Sequence, residues 1–328
     1  MIHPKANLSE KLFDQDVSRV PTRKGYGEGL VEAGKKNKDV VVLCADLAES
    51  TYSNYFQKEF PERFVEVGVA EQNMASLAAG MALAGKIPFI SSYATFSPGR
   101  NNEQIRTTIA LNDVNVKIGG AHGGLSVGPD GATHQALEDI ALMRVLPNMR
   151  VIVPCDALEA KRATMAAAEI QGPIYMRFAR DATPVMTTEA TPFTFGKAEV
   201  FIEGKDATVV AVGPVLYEAL LASRMLEKEG ISVEVLNCHT IKPLDADTIV
   251  SSAKKTGAVV TVEEHQIAGG LGGAIAELLG QMHPVPMEFI GVHDKFGESG
   301  TPQELWEAFG LTHAHIMEAV KKAIQRKI

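Results

Sequence analysis

The chain has 328 residues, 45% of them hydrophobic and 22% charged, which suits two globular domains better than one. A formal net charge of −8 argues against binding a nucleic-acid backbone, and no apolar run approaches membrane-spanning length. Cys44, Cys155 and Cys238 stand apart without CxxC spacing, which excludes a disulfide framework and reads as buried thiols in a reducing compartment.

The first 23 residues are polar and contain acids, unlike a signal peptide, so a cytoplasmic location is expected. The basic clusters Lys35, Lys36, Lys38 and Lys321, Lys322 read as solvated helix edges. From Asp39 onward, short β-branched runs (40–43, 64–67, 87–91, 114–118, 151–153, 174–178) alternate with helix-forming stretches (72–84, 101–111, 135–145, 157–168). Such alternation predicts βαβ units and a mostly parallel sheet with helices on both faces. Residues 180–194 hold two prolines and five threonines without periodicity and read as a linker.

A second α/β series follows, with strands expected at 207–212, 232–236, 258–262 and 287–290. Its helices are expected at 215–228, 246–255 and 270–279, and the tail closes with 302–309 and a helix at 313–326. The fold class is therefore α/β, two successive open and mostly parallel sheets with flanking helices, divided into residues 1–190 and 191–328. Open α/β sheets bind ligands beyond the carboxyl ends of their strands, which directs attention to the turns 46–50, 68–72, 92–99 and 119–134.

Glu71 follows a strand and a Gly68 turn, at the start of a helix, where free N–H groups and the dipole favour a carboxylate. Taken alone, it could be a capping glutamate; Glu66, out of phase with Val65 and Val67, could be structural. The glycine-rich turn from Gly119 to Gln135 carries His122, Asp130 and His134, with Thr133 a candidate cap for the next helix. Those three could bind a metal, but their spacing fits no metal motif. Tyr93, Phe96 and Arg100 offer aromatic faces and a cation, although Phe96 taken alone is more often core than a ligand platform. Arg23, Arg106, Arg177 and Arg180 could each grip a phosphate or carboxylate with a bidentate fork. No GxxxxGK[ST] loop or GxSxG elbow is present, and Gly269–Gly273 lacks GxGxxG spacing. The run Glu263-Glu264-His265 reads as structural.

Asp46-Leu47, Gly68-Val69-Ala70-Glu71-Gln72, Thr95-Phe96 and Gly128-Pro129-Asp130-Gly131-Ala132-Thr133-His134-Gln135 occur in an order that resembles transketolase. The resemblance covers the second half of that family, its pyrimidine-binding and C-terminal domains, in the separately encoded form. It implies a thiamine diphosphate (ThDP) enzyme transferring a two-carbon ketol unit from a ketose phosphate to an aldose phosphate. Glu71 would share a proton with N1′ of the aminopyrimidine, with Phe96 packed on the ring and Tyr93 and Arg100 beside it. By the same resemblance, His122 would approach the substrate phosphate or a hydroxyl, Asp130 a hydroxyl near the cleaved bond, and His134 the donor's terminal hydroxyl. Arg23, Ser50 and Arg180 match the family's sugar-phosphate clamp.

Two positions depart from the family: Gly123 stands where many one-chain transketolases have aspartate, and Gly99 where a second ring-facing aromatic would be. The Gly-Asp-Gly motif that holds Mg²⁺ in the family is absent. The resemblance thus implies Mg²⁺ ligands on an N-terminal partner subunit, in an α₂β₂ complex or similar. Related alternatives are a 1-deoxyxylulose-5-phosphate synthase-like or 2-oxoacid dehydrogenase-like carboligase, or a non-enzymatic regulatory or structural homologue.

Overall fold

The computed structural model describes residues 1–327. The strands are β1 (Arg19–Pro21), β2 (Val40–Cys44), β3 (Phe64–Glu66), β4 (Ile87–Tyr93), β5 (Lys117–Ala121), β6 (Arg150–Ile152) and β7 (Ile174–Arg177). They continue with β8 (Ala182–Pro184), β9 (Glu199–Ile202), β10 (Ala207–Ala211), β11 (Val233–Asn237), β12 (Thr240–Lys242), β13 (Val259–Gln266) and β14 (Met287–Val292). A seven-stranded sheet runs β12-β6-β7-β5-β4-β2-β3, and a five-stranded sheet runs β14-β13-β10-β11-β9. Within each, the pairings are parallel except at β12 and β9, so the expected pair of mostly parallel sheets is what the chain forms.

The central strands are apolar on both faces because helices cover both: every residue of β2 and of β10 is buried. Helix Thr22–Lys36 lies against helix Ala157–Glu169 on one face of the larger sheet, and Gly29 there permits close approach to Thr164. The chain order places β3 on one side of β2 and β4 on the other, which opens a crevice at the carboxyl ends of β2 and β4.

Two expected elements are displaced or shortened, each for a tertiary reason. The strand expected at 114–118 is shifted to β5, taking in Gly119 and Gly120, because the Tyr26 and Tyr175 rings occupy the space their side chains would need. The helix expected at 135–145 is only Asp139–Arg144. Gln135 is instead spent on the carbonyls of Leu125, Gly128 and Glu298, and Ala136 forms a bridge with Gly123. Thr133 therefore caps no helix; its hydroxyl bonds the His134 ring.

The expected linker is ordered. β8 pairs antiparallel with β1, and the Met186 and Thr187 N–H groups donate to the buried Asp156 carboxylate at 2.8 and 2.6 Å. The two halves also exchange edges. Ala6, Leu12 and Val17 from the N-terminal segment pack into the core of the smaller sheet, while β12 from the second half extends the larger one. All three cysteines are buried and free.

Arg177, at the end of β7, donates to Asp139 at 2.9 Å and to the carbonyls of Ala136 and Glu264 at 3.0 and 2.9 Å. Tyr175 donates to the same Asp139 carboxylate at 2.6 Å. Burial opposes the Arg177 charge, but Asp139 and its other partners raise the guanidinium above its ordinary pKa. Removing one partner of such a buried pair strands the other. Arg177→Met is expected to cost about 3–5 kcal/mol, seen as a lowered thermal midpoint; an unchanged midpoint would disprove this role.

Candidate functional site

The carboxyl ends of β2, β3, β4, β5 and β7 carry the turns singled out in the sequence. After β3, Gly68 takes φ +70°, a left-handed value that glycine adopts without strain, and Glu71 opens helix Glu71–Leu83. The Glu66 carboxylate shapes this corner by accepting the N–H groups of Asp46 and Gly68, both at 2.8 Å. Glu66 is thereby structural.

Glu71 is 1% exposed, and its carboxylate accepts from Arg100 Nη1 at 2.7 Å. Simple capping would leave it at the surface. The Arg100 guanidinium also lies over the Phe96 ring, 4.8 Å from its centroid. Asn101, which sequence reasoning missed, donates to the Glu71 carbonyl and the Ser97 hydroxyl, both at 3.1 Å.

Four rings meet beside this pair. Tyr93 stacks on His122 at 3.8 Å between centroids and lies 5.7 Å from Phe96. His134 stands edge-on to Phe96 at 5.5 Å and to Tyr93 at 6.2 Å. Phe96 is only partly buried, so it faces the site and is not core.

Two cations, Arg23 and Arg180, lie near His122. Arg23 donates to the carbonyls of Ser50 at 2.5 Å and Arg180 at 3.0 Å, and its guanidinium lies over Tyr52. Ser50 meets Arg23 through its carbonyl, which leaves its hydroxyl out of this contact. Arg180 donates to the Val127 carbonyl at 2.6 Å and stands 3.8 Å from Asp130. The ten residues to which the resemblance gives roles thus fall into two adjoining groups, Glu71–Arg100–Phe96–Tyr93–His122–His134 and Ser50–Arg23–Arg180–Asp130. Arg177 belongs to neither, being consumed in the buried pair with Asp139.

Both departures from the family pattern acquire a cause. A side chain at Gly123 would strike the Arg177 guanidinium, and one at Gly99 the Thr95 carbonyl. Arg100 covers Phe96 where the second aromatic is missing. At the glycine-rich helix start near 270, the Glu263 carboxylate already accepts the N–H groups of Leu271 and Gly272, at 2.7 and 2.8 Å. That anion site is filled from within.

Residues 18–186 match the transketolase pyrimidine-binding domain model, and residues 196–316 match the transketolase C-terminal domain model. A protein of Methanocaldococcus jannaschii named as a transketolase C-terminal section is 46% identical over 92% of this chain and 96% of its own length. A Clostridium protein named 6-deoxy-6-sulfo-D-fructose transketolase subunit is 41% identical over 93% of this chain and 95% of its own. A solved chain titled split gene transketolase, inactive β4 tetramer, is 48% identical with a TM-score of 0.89, over 94% of this chain and 100% of that one. Fold and site together define the second half of a transketolase-type enzyme, the half that pairs a pyrimidine-binding domain with a C-terminal domain. The chain belongs to the transketolase family, as a C-terminal subunit of the split-gene kind.

His122 is 2% exposed, and burial, followed by the charges of Arg23, Arg180 and His134, lowers its pKa to about 2. Its Nδ1 is buried without a protein partner. The ring is therefore neutral in the folded chain. Because the unfolded histidine titrates near its ordinary value of about 6.5, stability from this site is present above that pH and is lost as pH falls below it. The His122 ring resonances are expected to stay fixed between pH 8 and pH 5; a titration in that window would disprove the assignment.

Proposed function

We propose that this chain is the C-terminal subunit of a ThDP-dependent transketolase that moves a two-carbon ketol unit from a ketose phosphate to an aldose phosphate. The observation that carries this reading is the buried Glu71 carboxylate held by Arg100 beside the part-buried Phe96 ring, with neutral His122 and the Arg23–Arg180 pair next to it. Such a set suits a flat, nitrogen-rich ring on one side and a phosphorylated polyol on the other. ThDP supplies, when bound, the reactive carbon that takes up the two-carbon unit.

The work of this chain is to bind, orient and relay protons. Glu71 shares a proton with N1′ of the aminopyrimidine, while Phe96, Tyr93 and Arg100 line the ring's seat. His122, neutral and with a free Nδ1, meets a substrate hydroxyl or the phosphate. Asp130 meets a hydroxyl near the cleaved bond, and His134 the donor's terminal hydroxyl. Arg23, Arg180 and Ser50 take the phosphate, for which planar guanidinium forks suit a dianion. In this reading residues 1–190 seat the pyrimidine and residues 191–328 form the C-terminal domain.

Among the described residues no group of three or more His, Cys, Asp or Glu is placed to hold a metal ion. Following the family pattern, in which another domain holds the metal, we assign Mg²⁺ ligation to an N-terminal subunit, with an α₂β₂ complex as the working assembly. Relatives whose printed names call them subunits, and the solved β4 tetramer titled inactive, support dependence on a partner. Among the described residues no helix is long and apolar enough to cross a membrane, and the free, buried cysteines fit a reducing cytoplasm.

One observation favours a second donor class. The 41%-identical relative is named for a sulfo-fructose, and the 37%-identical Phocaeicola vulgatus relative for apulose-4-phosphate. A guanidinium pair would grip a sulfonate as well as a phosphate. A panel of xylulose 5-phosphate, the sulfo-sugar and pyruvate, assayed on the two-subunit complex with ThDP and Mg²⁺, separates these donors from the 2-oxoacid alternative. In that complex Glu71→Gln is expected to lower kcat at least about 100-fold with assembly intact, since general acid–base relays contribute roughly 10²–10⁴-fold. Full rate in the variant would remove Glu71 from the proton relay. Full rate from this chain alone would remove the partner.

A further inference from the structure

The turn from Gly123 to Gln135 carries Asp130 and His134, runs beside His122 and contains a short 3₁₀ helix, Leu125–Asp130. Arg180 and Gln135 tie it within the first domain, and further support comes from the second. The Glu264 side chain, on β13, is 3% exposed, and its carboxylate accepts the Ser126 N–H in a short hydrogen bond and stands 3.3 Å from the Ser126 hydroxyl. Gly124 takes φ +94°, and a Cβ there would lie 2.6 Å from the Glu264 carboxyl carbon, so the backbone lies flush against the carboxylate. The Glu264 carbonyl accepts from Arg177, which also holds Ala136 at the far end of the turn. Gln135 then ties the turn to Glu298 of the loop after β14 at 2.9 Å.

We propose that Glu264 is a positioning residue for ketol transfer, a second-domain carboxylate that fixes the Ser126 N–H and thereby sets where Asp130 and His134 meet the donor sugar. This rests on the sugar-phosphate reading of the site. The aminopyrimidine seat at Glu71 and Phe96 lies on other turns and meets this one only where the His134 ring stands edge-on to Phe96, so Glu264 acts chiefly on the donor. A carboxylate taken fully out of water is costly, and a bland structural role could be met by an apolar contact. Here the carboxylate's acceptor capacity goes to a backbone N–H in the turn that bears the substrate groups.

The test uses the assembled two-subunit complex and three variants. Glu264→Ala removes the acceptor, Glu264→Asp withdraws it by one methylene, and Glu264→Gln keeps an oxygen for the Ser126 N–H. Ala and Asp are expected to lower kcat/KM for the ketose phosphate by about 10- to 100-fold, the scale of a misplacement near 1 Å. The loss should fall chiefly in donor KM, with the ThDP dissociation constant within about twofold of the parent, and Gln should restore most of it. Amide exchange should accelerate across 123–135 and stay unchanged across 68–84. If Ala does not assemble, Asp carries the test.

Donor KM and kcat within about twofold of the parent in assembled Ala or Asp variants would overturn the proposal, as would unchanged exchange in the turn. If the parent complex binds no ThDP and transfers no ketol unit, the functional reading fails first. The exchange measurement then still decides whether Glu264 holds the turn.

Discussion

The buried Arg177–Asp139 pair is the contact on which the larger architecture turns. Arg177 ends β7 in the first sheet, Asp139 begins the helix after the glycine-rich turn, and the Glu264 carbonyl belongs to β13 of the second sheet. One guanidinium therefore joins both sheets and the turn between them. Desolvating such a pair costs several kcal/mol per ion, and only a full set of hydrogen bonds offsets it. Arg177 finds three acceptors, and Asp139 receives the Tyr175 hydroxyl as well. The geometry is directional where an apolar contact would not be, and it pins the registry of the two domains.

From that anchor the site divides into parts with different supports. The Glu71–Phe96 seat stands on strand ends and a helix start of the first domain, positions that regular backbone holds in place. The Asp130–His134 arm stands on a turn and borrows part of its order from the second domain. The Arg23–Arg180 pair depends on backbone carbonyls and on helix Thr22–Lys36. The second domain thus helps to shape the turn that carries Asp130 and His134.

Much of this was legible in the order of residues. Strand runs such as 40–43 and helices such as 157–168 show their period and composition plainly, and β2 and helix Ala157–Glu169 follow them within a residue or two. Four short strands, β1, β8, β9 and β12, escaped notice because each is defined by its partner and not by its own pattern. β5 was misplaced for a related reason: Gly119 and Gly120 look like turn residues until Tyr26 and Tyr175 are set against them. Glu264 carried no local signal at all, since its partner Ser126 lies 138 residues away. Asn101 and Tyr52 were silent likewise.

By itself, the sequence determined the two α/β halves, the turns that bear chemistry, and the resemblance that ties Glu71, His122, Asp130 and His134 to one family. These are properties of period, composition and motif, all written within a few tens of residues. Tertiary structure alone decided that Glu71 is buried against Arg100, that His122 is neutral, and that Arg177 holds the frame while Arg23 and Arg180 face the site. Burial and pairing are relations between distant segments, and a guanidinium means one thing in water and another between two desolvated carbonyls.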